Sequence, residues 1–207
     1  MKKIALIVIF LFACSISDNA YAQSNGQIDI LAPWTQESIK VSIINKANLP
    51  ESSISIIKKV IQSNSFYVEN DKRYFEGWAG ALQDLDLGKE FKITVSEKTR
   101  GADITIELLQ EADPRYNGYT IPRHAGNRMI SASIQIFDSE NISAAQLENL
   151  VRHEFGHALG FGHASERNFI MYTSMGVDPK FITECELTGL KALSEGQTFK
   201  KVQCSSV

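Results

Sequence analysis

The stretch His153-Glu154-Phe155-Gly156-His157-Ala158-Leu159-Gly160-Phe161-Gly162-His163 decides the reading of this 207-residue chain. His153 and His157 are four residues apart, so on an α-helix they stand one turn above the other on one face, where two imidazoles can grip a single metal ion. Zinc is the expected ion. Glu154 lies next to the first histidine and can lean over the open coordination position, as the general base of a His-Glu-x-x-His arrangement must. Gly160 can take a left-handed conformation, end the helix and turn the chain back. That turn lets His163 reach the metal as third ligand. Five specified letters at fixed spacing arise by chance on the order of once in 10^4 chains of this length. Three of the 4 histidines in the chain fall inside this motif, which argues against a buried helix with incidental histidines.

Outward from the motif, Ser143-Ala144-Ala145-Gln146 reads as a capping box that opens the helix, and Leu147, Leu150, Val151, Ala158 and Leu159 give it an apolar face. Ligand histidines need such anchoring if the metal geometry is to hold. Downstream, Asn168-Phe169-Ile170-Met171-Tyr172 places Met171 eight residues past His163.

The histidine motif followed by a methionine is similar to the signature of the metzincins, and its spacing to Met171 resembles the matrixin branch. The resemblance reaches upstream as far as Trp34. It implies an α+β metzincin (zincin) fold: a twisted, mostly parallel five-stranded sheet with an antiparallel edge strand, packed on an N-terminal helix and the active-site helix, with a C-terminal helix after the Met-turn. It implies zinc-dependent hydrolysis of a protein or peptide, with one catalytic zinc on His153, His157 and His163 and with Glu154 as base. Met171 is then an apolar floor under the imidazoles, and Tyr172 and Thr173 border the pocket for the residue after the scissile bond. Matrixins usually carry proline where Thr173 stands. Tyr119 to Arg123 is the candidate for the edge strand that pairs with substrate, with Tyr119 and Ile121 as pocket residues; a plain surface loop is the other reading. Asp113, Asp138, Glu140 and Asn141 are oxygen donors for calcium, an ion common in secreted relatives; helix capping and a solvated loop are the other reading. His124 reads as a solvated loop residue, and the several histidines that hold a second, structural zinc in matrixins are missing from this region.

The remaining pattern supplies the expected elements. Ile39, Val41 and Ile43 alternate as a strand, and Pro50 with the following serines opens a helix through Ile54, Ile57 and Ile61. A second helical stretch runs from about Asp71 to Leu85 with Tyr74, Phe75, Trp78 and Leu82, Trp78 being a core residue. Strands follow around Ile93, around Ile104 and from Met129 to Phe137, and a last amphipathic helix spans Ile182 to Leu193.

Composition, at 43% hydrophobic, 22% charged and net charge -3, is that of one globular domain and suggests neither disorder nor a nucleic-acid partner. Lys2 and Lys3 precede the apolar run Ile4 to Ala13, and Ala20-Tyr21-Ala22 offers a small-x-small cleavage site, so residues 1–22 read as a secretory signal cleaved after Ala22. The run falls well short of the roughly 20 residues that cross a bilayer, so the expected protein is extracellular and not transmembrane. Lipidation at Cys14 is the competing reading. Residues 23–33 read as a flexible lead-in, and 34–207 as a single catalytic domain with a short tail. Cys185 and Cys204 remain after cleavage, in a compartment that permits a bridge; two free thiols are the alternative. A different function also stays open: a secreted zinc-binding module without turnover, against which Glu154 speaks because a structural site closes with four protein ligands. A peptidase restricted to one partner is a third reading, and the oligomeric state is undetermined.

Overall fold

Alternation of apolar and polar residues builds the central sheet. In the computed structural model, which describes residues 26–85, 91–96, 98–174 and 180–204, β2 (Ser38–Asn45), β5 (Lys92–Ser96), β6 (Ile104–Leu108), β7 (Gly118–Ala125) and β8 (Arg128–Ile136) pair in the order β5-β2-β6-β8-β7. Neighbours run parallel except β7, which is antiparallel to β8 and forms an edge. This is the α+β sheet the sequence implies. The signal segment and Cys14 lie outside the described residues. Register sets Ile43, Ile106, Ile134 and Thr120 side by side in one row, and Leu108, Ile136 and Gly118 in the next. Period two puts such rows on one face, and there Ile106, Leu108, Ile134 and Ile136 are fully buried.

Helices cover that face. α1 (Glu51–Gln62) buries Ile54, Ile57, Val60 and Ile61 and packs on α3 (Ala144–Leu159), which lies against β7 and β8. Two tryptophans fix α3 from outside: Trp78 Nε1 donates to the Arg152 carbonyl at 3.0 Å, and Trp34 Nε1 to the Ala158 carbonyl at 2.8 Å. Ala158 is in the last turn, where carbonyls lack helical partners, so Trp34 satisfies an otherwise orphaned acceptor. α4 (Glu184–Ser194) opens on a capping box of Thr183 and Glu186. Among the described residues no helix is long and apolar enough to cross a membrane.

Two expectations need correction. The stretch from Asp71 to Leu85 is not one helix: β3 (Phe66–Glu69) and β4 (Lys72–Phe75) form a hairpin, and only α2 (Trp78–Asp84) is helical. Asn70 and Asp71 have φ of 51° and 60°, the left-handed pair that a two-residue turn of the type I′ kind requires and that these residue types tolerate. Tyr67 stacks on Tyr74 at 5.0 Å and Phe66 meets Phe75 at 5.4 Å, which ties the two strands together. The helical spacing of Tyr74, Phe75, Trp78 and Leu82 straddled a strand and a helix.

The described part of the lead-in, from Gly26 onward, is built into the fold. Residues 27–30 form β1 (Gln27–Ile30), which lies between β9 (Phe161–Ala164) and β10 (Lys200–Gln203) in a second sheet. Ile28, Ile30 and Ala32 are at most 1% exposed, because this alternation faces the core. The tail is structural as well: Cys204, just past β10, is disulfide-bonded to Cys185 of α4 with Cα atoms 4.5 Å apart. Truncating Ile28 to alanine is expected to cost about 2 to 5 kcal/mol in a urea titration; a change under about 0.5 kcal/mol, the usual size at an exposed site, would mean that β1 carries no core.

Candidate metal centre

The site is built by the two ends of α3. At its start, Gln146 N donates to Ser143 Oγ at 3.3 Å and Ser143 N to Gln146 Oε1 at 3.1 Å, a reciprocal cap. At its end Gly160 has φ 111°, and a Cβ there would lie 2.2 Å from the Ala32 carbonyl oxygen. Only glycine meets both conditions cheaply. The chain therefore reverses into β9, and one ligand nitrogen from each of His153, His157 and His163 falls within 4.8 Å of the others.

Hydrogen bonding assigns the tautomers. His153 Nδ1 lies 2.7 Å from the Ile170 carbonyl oxygen and His157 Nδ1 lies 3.0 Å from that of Phe161. A carbonyl only accepts, so each Nδ1 carries the proton and each Nε2 offers a lone pair. The two Nε2 atoms stand 3.1 Å apart, and no proton is left to lie between them. Two lone pairs at that separation fit a shared cation. Burial, with His157 next in weight, pushes His153 down to about 3; burial pushes His157 down to about 4. Burial lowers His163 too, against the nearby Asp29 carboxylate. Neutral rings are the form that ligates a metal, so the donor set fits zinc.

Glu154 is 6% exposed, and burial raises its carboxyl to about 7. One group opposes this: Thr120 Oγ1, 2.6 Å from Glu154 Oε2 and 3.0 Å from the Glu154 carbonyl oxygen. Thr120 is the polar end of an otherwise apolar row, facing α3 from β7. Two residues earlier, a Cβ on Gly118 would lie 2.8 Å from Leu150 Cδ1 and 3.0 Å from Glu154 Cγ, so glycine lets the edge strand close on the helix. Tyr119 and Ile121, read from the sequence as pocket residues, alternate with these and are 45% and 43% exposed on the opposite face. Thr120 was not singled out from the sequence, and strand parity is the signal that could have found it.

Met171 is fully buried under α3, where a Cβ on Gly156 would lie 2.3 Å from its Sδ. Its carbonyl accepts from Ala164 N at 2.8 Å, which ties the turn to β9. Tyr172 is half-buried with Lys180 Nζ 5.7 Å from its ring centre, and Thr173 is exposed. Of the oxygen donors suggested for calcium, Asp113 is engaged by Arg115, which holds its carboxyl below the usual range, and Asp138 accepts from Asn141. His124 lies in β7, its ring 6.0 Å from Phe199, apart from the triad.

These pieces join as a helix that carries two of three converging histidines, laid along the antiparallel edge of a mostly parallel sheet, which is the arrangement of the zincin fold. The family profile described as Matrixin matches residues 33–193, so the chain belongs to the matrixin family, whose members are zinc-dependent metallopeptidases. No curated protein matches the chain.

The pair of Glu154 and Thr120 can be tested on the metal-free protein. A hydroxyl donating to a carboxylate favours the anion, so removing it raises the pKa. Carboxyl carbon NMR should place the Glu154 midpoint at about 7 and move it upward in Thr120→Val; an unchanged or lower midpoint would show that the bond does not hold in solution.

Proposed function

We propose that the chain is a secreted endopeptidase that hydrolyses peptide bonds with Glu154 as general base. The observation that carries this reading is the placement of a buried, raised carboxyl on the same helix as two neutral imidazoles, directly beside a sheet edge. His153, His157 and His163 would hold the zinc. When bound, the ion supplies Lewis acidity where their nitrogens converge.

The chain's own residues do the rest. Glu154 Oε2 takes a proton as a water oxygen adds to the peptide carbonyl carbon, and returns it to the amine nitrogen as the C–N bond breaks. A group titrating near neutrality can do both. Thr120 holds that carboxylate against rotation through its 2.6 Å bond. Among the described residues no strand pairs with the outer side of β7, and an edge of this kind suits a substrate that adds as a further strand. Tyr172 and Thr173 follow Met171 and are our candidates for the wall beyond the cut. Export is supported by the basic-apolar leader of residues 1–22 and by the Cys185–Cys204 bridge, which oxidising compartments preserve.

The test is hydrolysis of a quenched-fluorescent peptide library by the chain from Gln23 onward, beside Glu154→Gln, with zinc measured in both. Loss of the base is expected to lower kcat/KM by roughly 10^2 to 10^4 while about one zinc per chain remains. Zinc in both proteins with cleavage by neither would favour a binding module or a single-partner peptidase.

A further inference from the structure

β9 has an irregularity where it matters most. Its pairing with β1 joins Ile28 to Ala164 and Ile30 to Phe161, so the single residue Asp29 stands opposite two, Gly162 and His163. That is a β-bulge, a device that re-aims a side chain. In an unbroken strand His163 would share a face with Phe161. Here Phe161 and Ala164 are both buried, at 0% and 4% exposure, while His163 turns outward to the triad. Gly162 makes the bulge fit, since a Cβ on it would come 2.7 Å from Asp29 Cβ. β9 orients a second ligand too, through the Phe161 carbonyl that accepts from His157 Nδ1.

β1 is in turn held from its other side. It pairs with β10 along four residues, from Gln27 with Gln203 to Ile30 with Lys200. Cys204 N donates to the Gly26 carbonyl at 2.8 Å, and the Cys185–Cys204 bond fastens that end to α4. α4 meets the same strands at Gly189, where a Cβ would lie 2.5 Å from Phe161 Cε1 and 3.2 Å from Ile28 Cγ2. Leu31 N and Ser165 N close both ends of the β1 and β9 pair, on the Gly160 and Gln27 carbonyls, each at 2.8 Å. Both β1 and β10 lie outside residues 33–193, the part that matches the family.

We infer that β1 and β10, locked by the Cys185–Cys204 disulfide, form a clasp that positions His163 for the metal, so that the bond governs how tightly the metal is retained. The inference rests on the metal-site reading above. Asp29 and Gly162 are its positioning residues: they set the bulge without touching the ion. A chain whose two cysteines are reduced keeps His153 and His157 on their helix but loosens the strands that aim His163 and that supply the Phe161 carbonyl to His157.

The experiment measures zinc affinity by competition with a chromogenic chelator, at a temperature where circular dichroism shows each protein folded. Serine replaces both cysteines, C185S with C204S, because free thiols would themselves bind zinc; Gly162→Ala leaves the disulfide intact and disturbs the bulge alone. Each variant is expected to hold zinc about 10- to 100-fold more weakly than the parent chain, the usual loss when support behind a ligand is removed. Affinity within twofold of the parent in either folded variant overturns the clasp. If the serine variant does not fold, Gly162→Ala decides. A parent chain that binds no zinc contradicts the metal site itself, a result separate from equal affinities across the set.

Discussion

Three imidazoles with ligand nitrogens within 4.8 Å of one another cannot all be protonated, and much of the chain serves to keep them neutral and aimed. Burial disfavours the charged rings, and two backbone carbonyls hold the Nδ1 protons away from the centre. Those carbonyls come from Ile170 and Phe161, one just before the buried methionine and the other on the strand after the glycine turn. Met171 under Gly156 thus sets the height of Ile170, and the reversal at Gly160 sets Phe161. The helix, the turn and the second sheet are parts of one electrostatic arrangement.

The same helix is braced on its remaining side by Arg152, which is 1% exposed. Its guanidinium donates to the Glu76 carbonyl at 3.0 Å, the Lys180 carbonyl at 2.6 Å and Glu148 at 2.5 Å, and lies 5.6 Å from the Phe181 ring. A buried cation needs several such partners to offset its lost hydration. Burial lowers its pKa, with Glu148 opposing. The neighbours of His153 in sequence therefore face two tasks: Arg152 joins α3 to the chain before α4, and Glu154 joins it to β7. Because Thr120 belongs to the edge strand β7, that strand is hydrogen-bonded directly to the Glu154 carboxylate.

How much of this the sequence disclosed follows from how local each signal is. The spacing of His153 and His157, the Ser143 and Gln146 cap and the turn at Gly160 are encoded within a few residues, and the structure has each of these local features. The hairpin was missed because Tyr74, Phe75, Trp78 and Leu82 imitate a helical stripe; the decisive letters were Asn70-Asp71 between two aromatic runs. β1 was missed because Ile28-Asp29-Ile30 is too short to read as a strand without its partners. Those partners, at 161–164 and 200–203, lie far along the chain. Thr120 has no motif at all, and its role depends on a register across four strands that only the fold supplies. Backbone carbonyls such as Ile170 have no letter to be read.

The central claim is that three imidazoles and no fourth side chain hold one zinc. X-ray absorption at the zinc edge, on the zinc-loaded chain and on His163→Ala, tests it most directly. Three nitrogen neighbours at about 2.0 to 2.1 Å with one further oxygen are expected, and one nitrogen fewer in the variant. A shell that contains sulfur, or one unchanged by removing His163, would contradict it.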